Sequence, residues 1–416
     1  MSQPDQLRQP GAGERPGPPA GQPRSFPLGH ADGLDPLPEL AELRRHEPVV
    51  RVRMPGGGTA WLVTRHADVR RVLADPRFSR SRATRGKGPG GRTTALPDSI
   101  LATDPPDHSR LRRLVAPALT VRRSEAMRRD IARLADELLT RMTAAAAEEG
   151  GKGPGADLVP HFCRPLPLTV ICDLLGTPRV DADLLDAWDG ILRSTTAKNA
   201  EVTAAVEEMT GYLTRLVAAK RDRPADDMLS TLIAARDDGD RLSEGELVSF
   251  CLVLLTGGYG TTANRLAGFV HLLLEQPERY ALLCREEHRV PGAVEELLRY
   301  TQAAMGANVR VATESVRLGG VSVGEGESVI ALMASANHDE DVYGDPGLLD
   351  LTRAAPSHLA FGHGAHFCVG AQLARVQLQE ALTALTRRLP GLRAAGPPRW
   401  RTGQTTRAPR TLPVTW

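Results

Sequence analysis

The chain has 416 residues, of which 41% are hydrophobic and 25% charged, with a formal net charge of +2. That length can bury a large core and by size alone suggests two or three domains, while so small a charge makes no general case for a nucleic-acid partner. The five cysteines, Cys163, Cys172, Cys251, Cys284 and Cys368, form no C-x-x-C pair, and a chain of this size needs no disulfide framework, so a reducing compartment fits best.

Met1 to Pro27 is rich in Pro, Gly, Gln and Arg and holds almost nothing apolar. It cannot offset its ordering entropy and is expected to be a disordered tail. It lacks the apolar h-region of a signal peptide, and no stretch of the chain approaches the roughly 20 apolar residues of a membrane span. Residues 48–64 read as two short strands around a glycine turn. His66 to Ala74 reads as a helix, and residues 80–101, with Gly86, Gly88, Gly90 and Gly91, read as a basic loop. Asp104-Pro-Pro-Asp107 signals a helix start. The helix that follows carries His108 and Arg112 four apart on one face, where two donors can hold a carboxylate. Arg110 to Arg129 contains seven arginines and one acid, Glu125. Runs of that kind are ordinarily solvated faces.

Residues 130–148, 181–193 and 200–222 have helical spacing of apolar positions. Trp188 reads equally as pocket lining or as a core aromatic. Ser243 with Glu246 forms a capping box for a long helix running to about Glu275. Inside it, Gly257, Gly258 and Gly260 fall within four residues. Each costs roughly 1 kcal/mol against Ala in a helix interior, so the turn needs a reason. Close approach of a flat ligand supplies one, and the hydroxyls of Thr261 and Thr262 can bond back to helix carbonyls and open the turn. Glu296 and Arg299 are i,i+3 neighbours on a further helix. Asn308 to Thr313, Val316 to Val323 and Ser328 to Met333 read as strands, and Ala371 to Leu389 as an amphipathic helix.

Just before that last helix, Phe361-Gly-His-Gly-Ala-His-Phe-Cys368-Val-Gly370 puts one cysteine in a glycine-rich turn at a helix N-terminus. Amide N–H groups and the dipole there favour a thiolate, which suits a metal ligand. A lone cysteine is more usually a buried structural residue. Here the pattern F-x-x-G-x-[HR]-x-C-x-G is complete, through Phe361, Gly364, His366, Cys368 and Gly370. It resembles the haem-ligand loop of soluble bacterial cytochrome P450 enzymes.

The resemblance implies one mostly α-helical domain over 28–416 with small β-sheets, the cytochrome P450 fold. It implies haem b, held between the long helix and the loop, with Cys368 as axial ligand to the iron. The family's thiolate pushes electron density to favour O–O cleavage. Gly257 and Gly258 would let the haem approach, and His108, Arg112, Arg310 and His358 would hold its propionates. Glu296, Arg299 and Arg353 would form a supporting triad. Thr261 matches the family's oxygen-activating threonine, within [AG]-G-x-[DE]-T-T, but Gly260 stands where the family keeps an acid. Either water enters the space left there, with Thr261 and Asn264 relaying protons, or the reaction draws protons from its substrate. The 80–101 region, the segment 303–309 and a turn near Gln404 would border the substrate.

With no fused flavin or iron–sulfur domain, electrons would come ultimately from NAD(P)H through a separate ferredoxin reductase and ferredoxin. The ferredoxin would dock on the Arg110–Arg129 face. The expected protein is a cytoplasmic oxidoreductase of secondary metabolism acting on a small natural product, with neither nucleic acid nor membrane as partner. Hydroxylation or epoxidation comes first, oxidative carbon–carbon or carbon–nitrogen coupling of aromatic or cyclic dipeptide substrates second, and a non-enzymatic haem sensor third.

Overall fold

In the computed structural model the apolar periodicities become helices at nearly the expected boundaries. The structure describes all residues except 1–22, 29–32, 55–56, 86–98, 149–154, 179–181, 195, 235, 238–239, 302–307, 355–356 and 405. The helices are α1 (Pro38–His46), α2 (His66–Ala74), α3 (Arg80–Arg85), α4 (Asp107–Val115), α5 (Val121–Ala126), α6 (Arg128–Glu148), α7 (Pro165–Leu175) and α8 (Ala182–Arg193). They continue as α9 (Asn199–Asp222), α10 (Met228–Ala234), α11 (Glu244–Gly258), α12 (Gly260–Glu275), α13 (Pro277–Arg285), α14 (Val290–Tyr300), α15 (Met333–Ala336) and α16 (Ala371–Arg388). The fold is mostly helical, with small sheets at one side.

The capping box forms as read. Ser243 Oγ accepts from the Glu246 N–H at 3.2 Å, and Glu246 Oε2 accepts from the Ser243 N–H at 2.8 Å. The long helix it starts is not continuous. It breaks at Tyr259 (φ −85°, ψ −77°), leaving α11 and α12 end to end. Together they pack against α7, α9, α13 and α16 through an apolar core that includes Phe162, Ile171, Phe250 and Phe269. By length and composition Glu244–Glu275 would also pass for a membrane span, contrary to the sequence expectation. Its apolar window is 67% buried inside the protein, as a core helix is.

The main sheet has the strand order 24–25, 49–53, 59–63, 328–331, 309–312, 78–79. Val49–Arg53 and Thr59–Val63 form the expected hairpin, with Val49 opposite Val63. Two expectations need correction. Arg24 and Ser25, assigned to the disordered tail, pair in parallel with Val52 and Arg53. Phe26 and Leu28 are buried against Leu40, Leu62 and Ile330, so apolar burial starts earlier than the composition of the tail suggested. Residues 1–22 lie outside the described residues. Arg80–Arg85, read as loop, is helical, because Asp104 accepts from the N–H groups of Arg80 (2.8 Å) and Ser81 (3.1 Å) and anchors the turn. The rest of the expected lid, 86–98, and most of the 303–309 segment are not described.

Candidate functional site

The Cys368 loop is shaped by backbone constraints that only glycine meets. Gly362 (φ +80°) and Gly364 (φ +71°) both sit in the left-handed region. A Cβ on Gly364 would lie 2.7 Å from the Leu73 carbonyl oxygen and 2.9 Å from the Ala74 Cα, so the loop rests directly on the end of α2. The Cys368 N–H donates to the Phe361 carbonyl at 2.9 Å and closes the turn. Phe361 lies under the Arg375 guanidinium, 4.5 Å from ring centroid to Cζ. Arg375 in turn grips Glu295 with two hydrogen bonds, 2.8 and 2.9 Å. Gly370 is the N-cap of α16, and no atom lies within 4 Å of a Cβ placed there.

Cys368 is an exposed residue, yet its thiol is held above the usual thiol range. Desolvation raises it, and this outweighs the lowering by the Gly370 N–H, Arg112 and Arg375. The dipole and amides alone therefore do not make the thiolate, as the sequence suggested. A bound metal cation would, because a coordinating thiol is deprotonated outright.

Beside the loop the chain gathers imidazoles and guanidinium groups. His108 is buried on α4 and its ring lies 4.2 Å from that of His366, centroid to centroid. Desolvation lowers both imidazoles, His366 to about 3. Arg112, one turn along α4, acts electrostatically on Cys368, and desolvation lowers it too. Arg310 is buried, and desolvation pulls its guanidinium down to about 9, helped by repulsion from Arg80. Among the described residues the acid acting on this group is Asp104, which already accepts from Ser79, Arg80 and Ser81. Among the described residues no ion pair joins Arg112 or Arg310 to a carboxylate, and buried charge without a counter-charge is costly. The residues fit a ligand that carries two carboxylates and one metal. Sequence reasoning missed Arg80, because it reads as part of the basic loop 80–101. Arg80 Nε donates to the Leu101 carbonyl at 2.9 Å and its Nη1 to the Val309 carbonyl at 3.0 Å.

His358 does not join this group. Its Nε2 faces Glu295 Oε2 at 3.2 Å and its Nδ1 accepts from the Ala360 N–H at 3.2 Å. Both ring nitrogens are engaged, so in this structure His358 braces the loop against α14. Burial alone would raise the Glu295 carboxyl, but hydrogen bonds from His358 and Arg375 outweigh it and hold Glu295 at about 2. The expected triad does form. Arg299 spends all five of its N–H donors: two on Glu296 (2.7 Å each) and three on the carbonyls of Asn337, Pro346 and Leu348 (2.9, 2.9 and 3.2 Å). Arg353 adds Nε to Glu296 Oε1 at 3.3 Å.

On the helix above, the three glycines separate by role. Gly257 and Thr261 are exposed in the middle of a mostly buried helix pair, four apart and so on one face, and the Thr261 hydroxyl donates to the Gly257 carbonyl. Nothing lies within 4 Å of a Cβ at Gly257. Gly258 instead faces α7, where a Cβ would meet Ile171 Cδ1 at 2.6 Å, so it serves helix packing and not the cofactor. Gly260 faces α8. A Cβ there would lie 2.7 Å from Arg193 Nε and 2.8 Å from Asp189 Cγ, so the expected room for water at this position is already filled. Thr262 is buried, and Asn264 Nδ2 donates to Thr406 Oγ1 at 2.9 Å, which takes it out of the relay with Thr261. Trp188 is a core aromatic, its Nε1 donating to Glu208 at 3.0 Å. The Gln404 turn reaches α8, with Nε2 donating to the Gly190 carbonyl at 3.4 Å.

A thiol-bearing glycine loop at a helix N-terminus, cations for two carboxylates and a broken helix with an open Gly–Thr face define a haem-thiolate protein of helical fold. The chain belongs to the cytochrome P450 family, whose pattern matches residues 171–389, more than half of its length. It is similar to nocardicin C N-oxygenase of Nocardia uniformis subsp. tsuyamanensis, 47% identical over 400 residues covering 94% of this chain and 98% of that protein. The mycinamicin IV hydroxylase/epoxidase of Micromonospora griseorubida is 43% identical over 95% and 99% of the two chains. The solved structure of the mixed-function P450 MycG superposes with a TM-score of 0.87 at 42% identity, over 95% of this chain and all of that one. The chain is accordingly a haem enzyme of the monooxygenase type that takes its electrons from NAD(P)H through redox partners.

Proposed function

We propose that this chain inserts one atom of dioxygen into a small natural product, at a C–H bond, a double bond or a nitrogen, within secondary metabolism. The relatives named above, a hydroxylase/epoxidase and an N-oxygenase of natural products, support the substrate class and the reaction type. The observation that carries the reading for this chain is the Gly257–Thr261 face. It is a hydroxyl held by a helix carbonyl on the exposed side of a break in the core helix. Cys368 would bind the iron through Sγ. His108, Arg112, Arg310 and His366 would hold the two haem carboxylates, with Arg80 reinforcing Arg310. When bound, the haem supplies reductive activation of dioxygen. Gly257 would leave room for that ligand, and the Thr261 hydroxyl would hold and pass a proton there. Helix α8 and the Gln404 turn would shield the substrate from water.

Oxidative coupling, the second sequence reading, gained weight from the missing acid at Gly260, and Asp189 and Arg193 occupy that space. Labelled dioxygen decides between the two once a natural-product library has yielded a substrate by its shift of the haem absorption. One labelled atom per product molecule is expected. An unlabelled dimer or new ring would show coupling.

The electron donor in this proposal is an acidic ferredoxin in the same reducing, cytoplasmic compartment, which five free cysteines suit. Arg122, Arg123 and Arg129 are exposed, and Gln372, four residues past Cys368, bonds Glu125 on α5 at 2.8 Å. The basic face therefore adjoins the thiolate side, where Phe367 is also exposed. Reduction by such a ferredoxin is expected to slow as salt rises past about 0.1 M, where the Debye length is about 10 Å. Arg122→Glu and Arg129→Glu should each lower the association rate in stopped flow. A salt-independent rate would contradict this docking face.

A further inference from the structure

Position 260 has no side chain, yet a carboxylate occupies its place. Asp189 reaches it from α8, 71 positions earlier in the chain, and is 8% exposed. Its two oxygens each accept from Arg193 Nε, at 2.8 and 2.9 Å, and Arg193 Nη2 donates to the Thr256 carbonyl, the group one turn before Gly260. Beside the carboxylate lies a small cavity lined by Asp189, Thr256, Tyr259 and four apolar side chains. The space open to the centre of a water molecule in it is about 10 Å³, room for one water, with Asp189, Thr256 and Tyr259 on its wall. Tyr259, at the helix break, lines the same cavity and donates its hydroxyl proton to Asp186. Arg164 Nε donates to that tyrosine oxygen at 2.9 Å and also pairs with Asp186, whose side chain is 35% exposed. A line of polar groups therefore runs from solvent at Asp186, through Tyr259 and the cavity, to Asp189 at the break.

We propose that Asp189 supplies from α8 the acid that position 260 lacks, relaying protons from the Asp186–Tyr259 pair through one water to the helix break beside Thr261. In each pass Asp189 takes one proton from the water, which regains one from Tyr259, itself restored from Asp186 and solvent. Asp189 then gives its proton to the Thr261 hydroxyl, which passes its own proton to the oxygen substrate, so Asp189, the water, Tyr259, Asp186 and Thr261 return to their starting states, the net change is one proton moved inward from solvent, and no electron moves among them. Asp189 is a positioning and relay residue that acts through Thr261. The charged and titratable groups facing it are Arg193, Arg164, Arg401 and Tyr259. Burial nonetheless raises its carboxyl above the ordinary range, outweighing Arg193, Arg164 and Arg401. That shift favours a group able to carry a proton. Arg401 Nε is buried with no hydrogen-bond partner among the described residues, so the surroundings are not a closed set of ion pairs.

The inference rests on the reading of Thr261, and the test separates the two. The haem-loaded enzyme is driven by NADPH through a plant-type ferredoxin and its reductase, with no added substrate, in H2O and in D2O. Asp189→Asn, of the same shape, is expected to slow NADPH oxidation at least about tenfold and to raise the solvent isotope effect. The exchange Asp189→Gly with Gly260→Asp should restore both. In the resting enzyme, infrared titration should show a carboxyl band that Asp189→Asn removes, with a midpoint above about 3.9. A purely structural ion pair would lower the melting temperature and leave the isotope effect alone. If Thr261→Ala changes the isotope effect and Asp189→Asn does not, the Asp189 relay is wrong while the Thr261 reading stands. If neither changes it, both are wrong.

Discussion

Glu296→Gln is expected to lose most of the folded protein. Glu296 and Arg299 are both wholly buried, and Arg299 directs two of its five donors at this one carboxylate. The substitution keeps the shape and removes the charge, leaving the guanidinium in the core without its counter-ion. Breaking a buried pair in this way costs about 3–5 kcal/mol, a large share of the roughly 5–15 kcal/mol that holds a typical domain. The reading is the urea midpoint and the soluble yield. Arg133→Gln is the control, because Arg133 pairs with Asp130 and Glu137 at the surface and its loss should not move the midpoint. A midpoint for Glu296→Gln equal to that of the parent would mean that the triad does not hold the region under the haem loop.

Arg310→Leu is expected to move two properties in opposite directions. Arg310 is buried, its Nη1 donates to the carbonyl of the preceding Val309 at 3.1 Å, and desolvation pulls it down to about 9. In the haem-free chain this charge is a liability, so Leu should raise the melting temperature. In the loaded enzyme the guanidinium would meet a carboxylate, a charged hydrogen bond worth about 1.5–3 kcal/mol. Its removal should therefore speed haem transfer to apomyoglobin by about 10–100-fold. Arg112→Leu should show the same pattern more weakly, being half-buried. Equal or opposite results for both variants, with a less stable haem-free chain and unchanged haem transfer, would assign these arginines to the fold instead.

The parts of the molecule legible in the sequence are those written in local spacing. The Ser243–Glu246 box, the Cys368 loop and the Glu296–Arg299 pair each depend on residues within one or two turns, and each forms as read. Spacing did not reveal which way a side chain faces across the fold. His358 and His366 flank the same loop, yet only His366 meets the cations at Arg310, because Glu295 on α14 captures His358. Gly257, Gly258 and Gly260 look alike in sequence, but a helix turns about 100° per residue, so they face open space, α7 and α8 respectively. The missing acid at position 260 was visible as a gap. Its replacement by Asp189 was not, because nothing local links residues on separate helices. Arg80 was hidden for the related reason that its anchor, Asp104, lies 24 positions away.

The central claim is that Cys368 is the thiolate that holds the haem iron. It is tested most directly by the carbon monoxide difference spectrum of the reduced enzyme and of Cys368→Ser, both reconstituted with haem. The parent should give the strongly red-shifted Soret band that marks thiolate ligation. Cys368→Ser should bind haem through the same carboxylate contacts and lack that band entirely. A red-shifted band that survives in Cys368→Ser, or one missing from the folded, haem-loaded parent, would contradict the account.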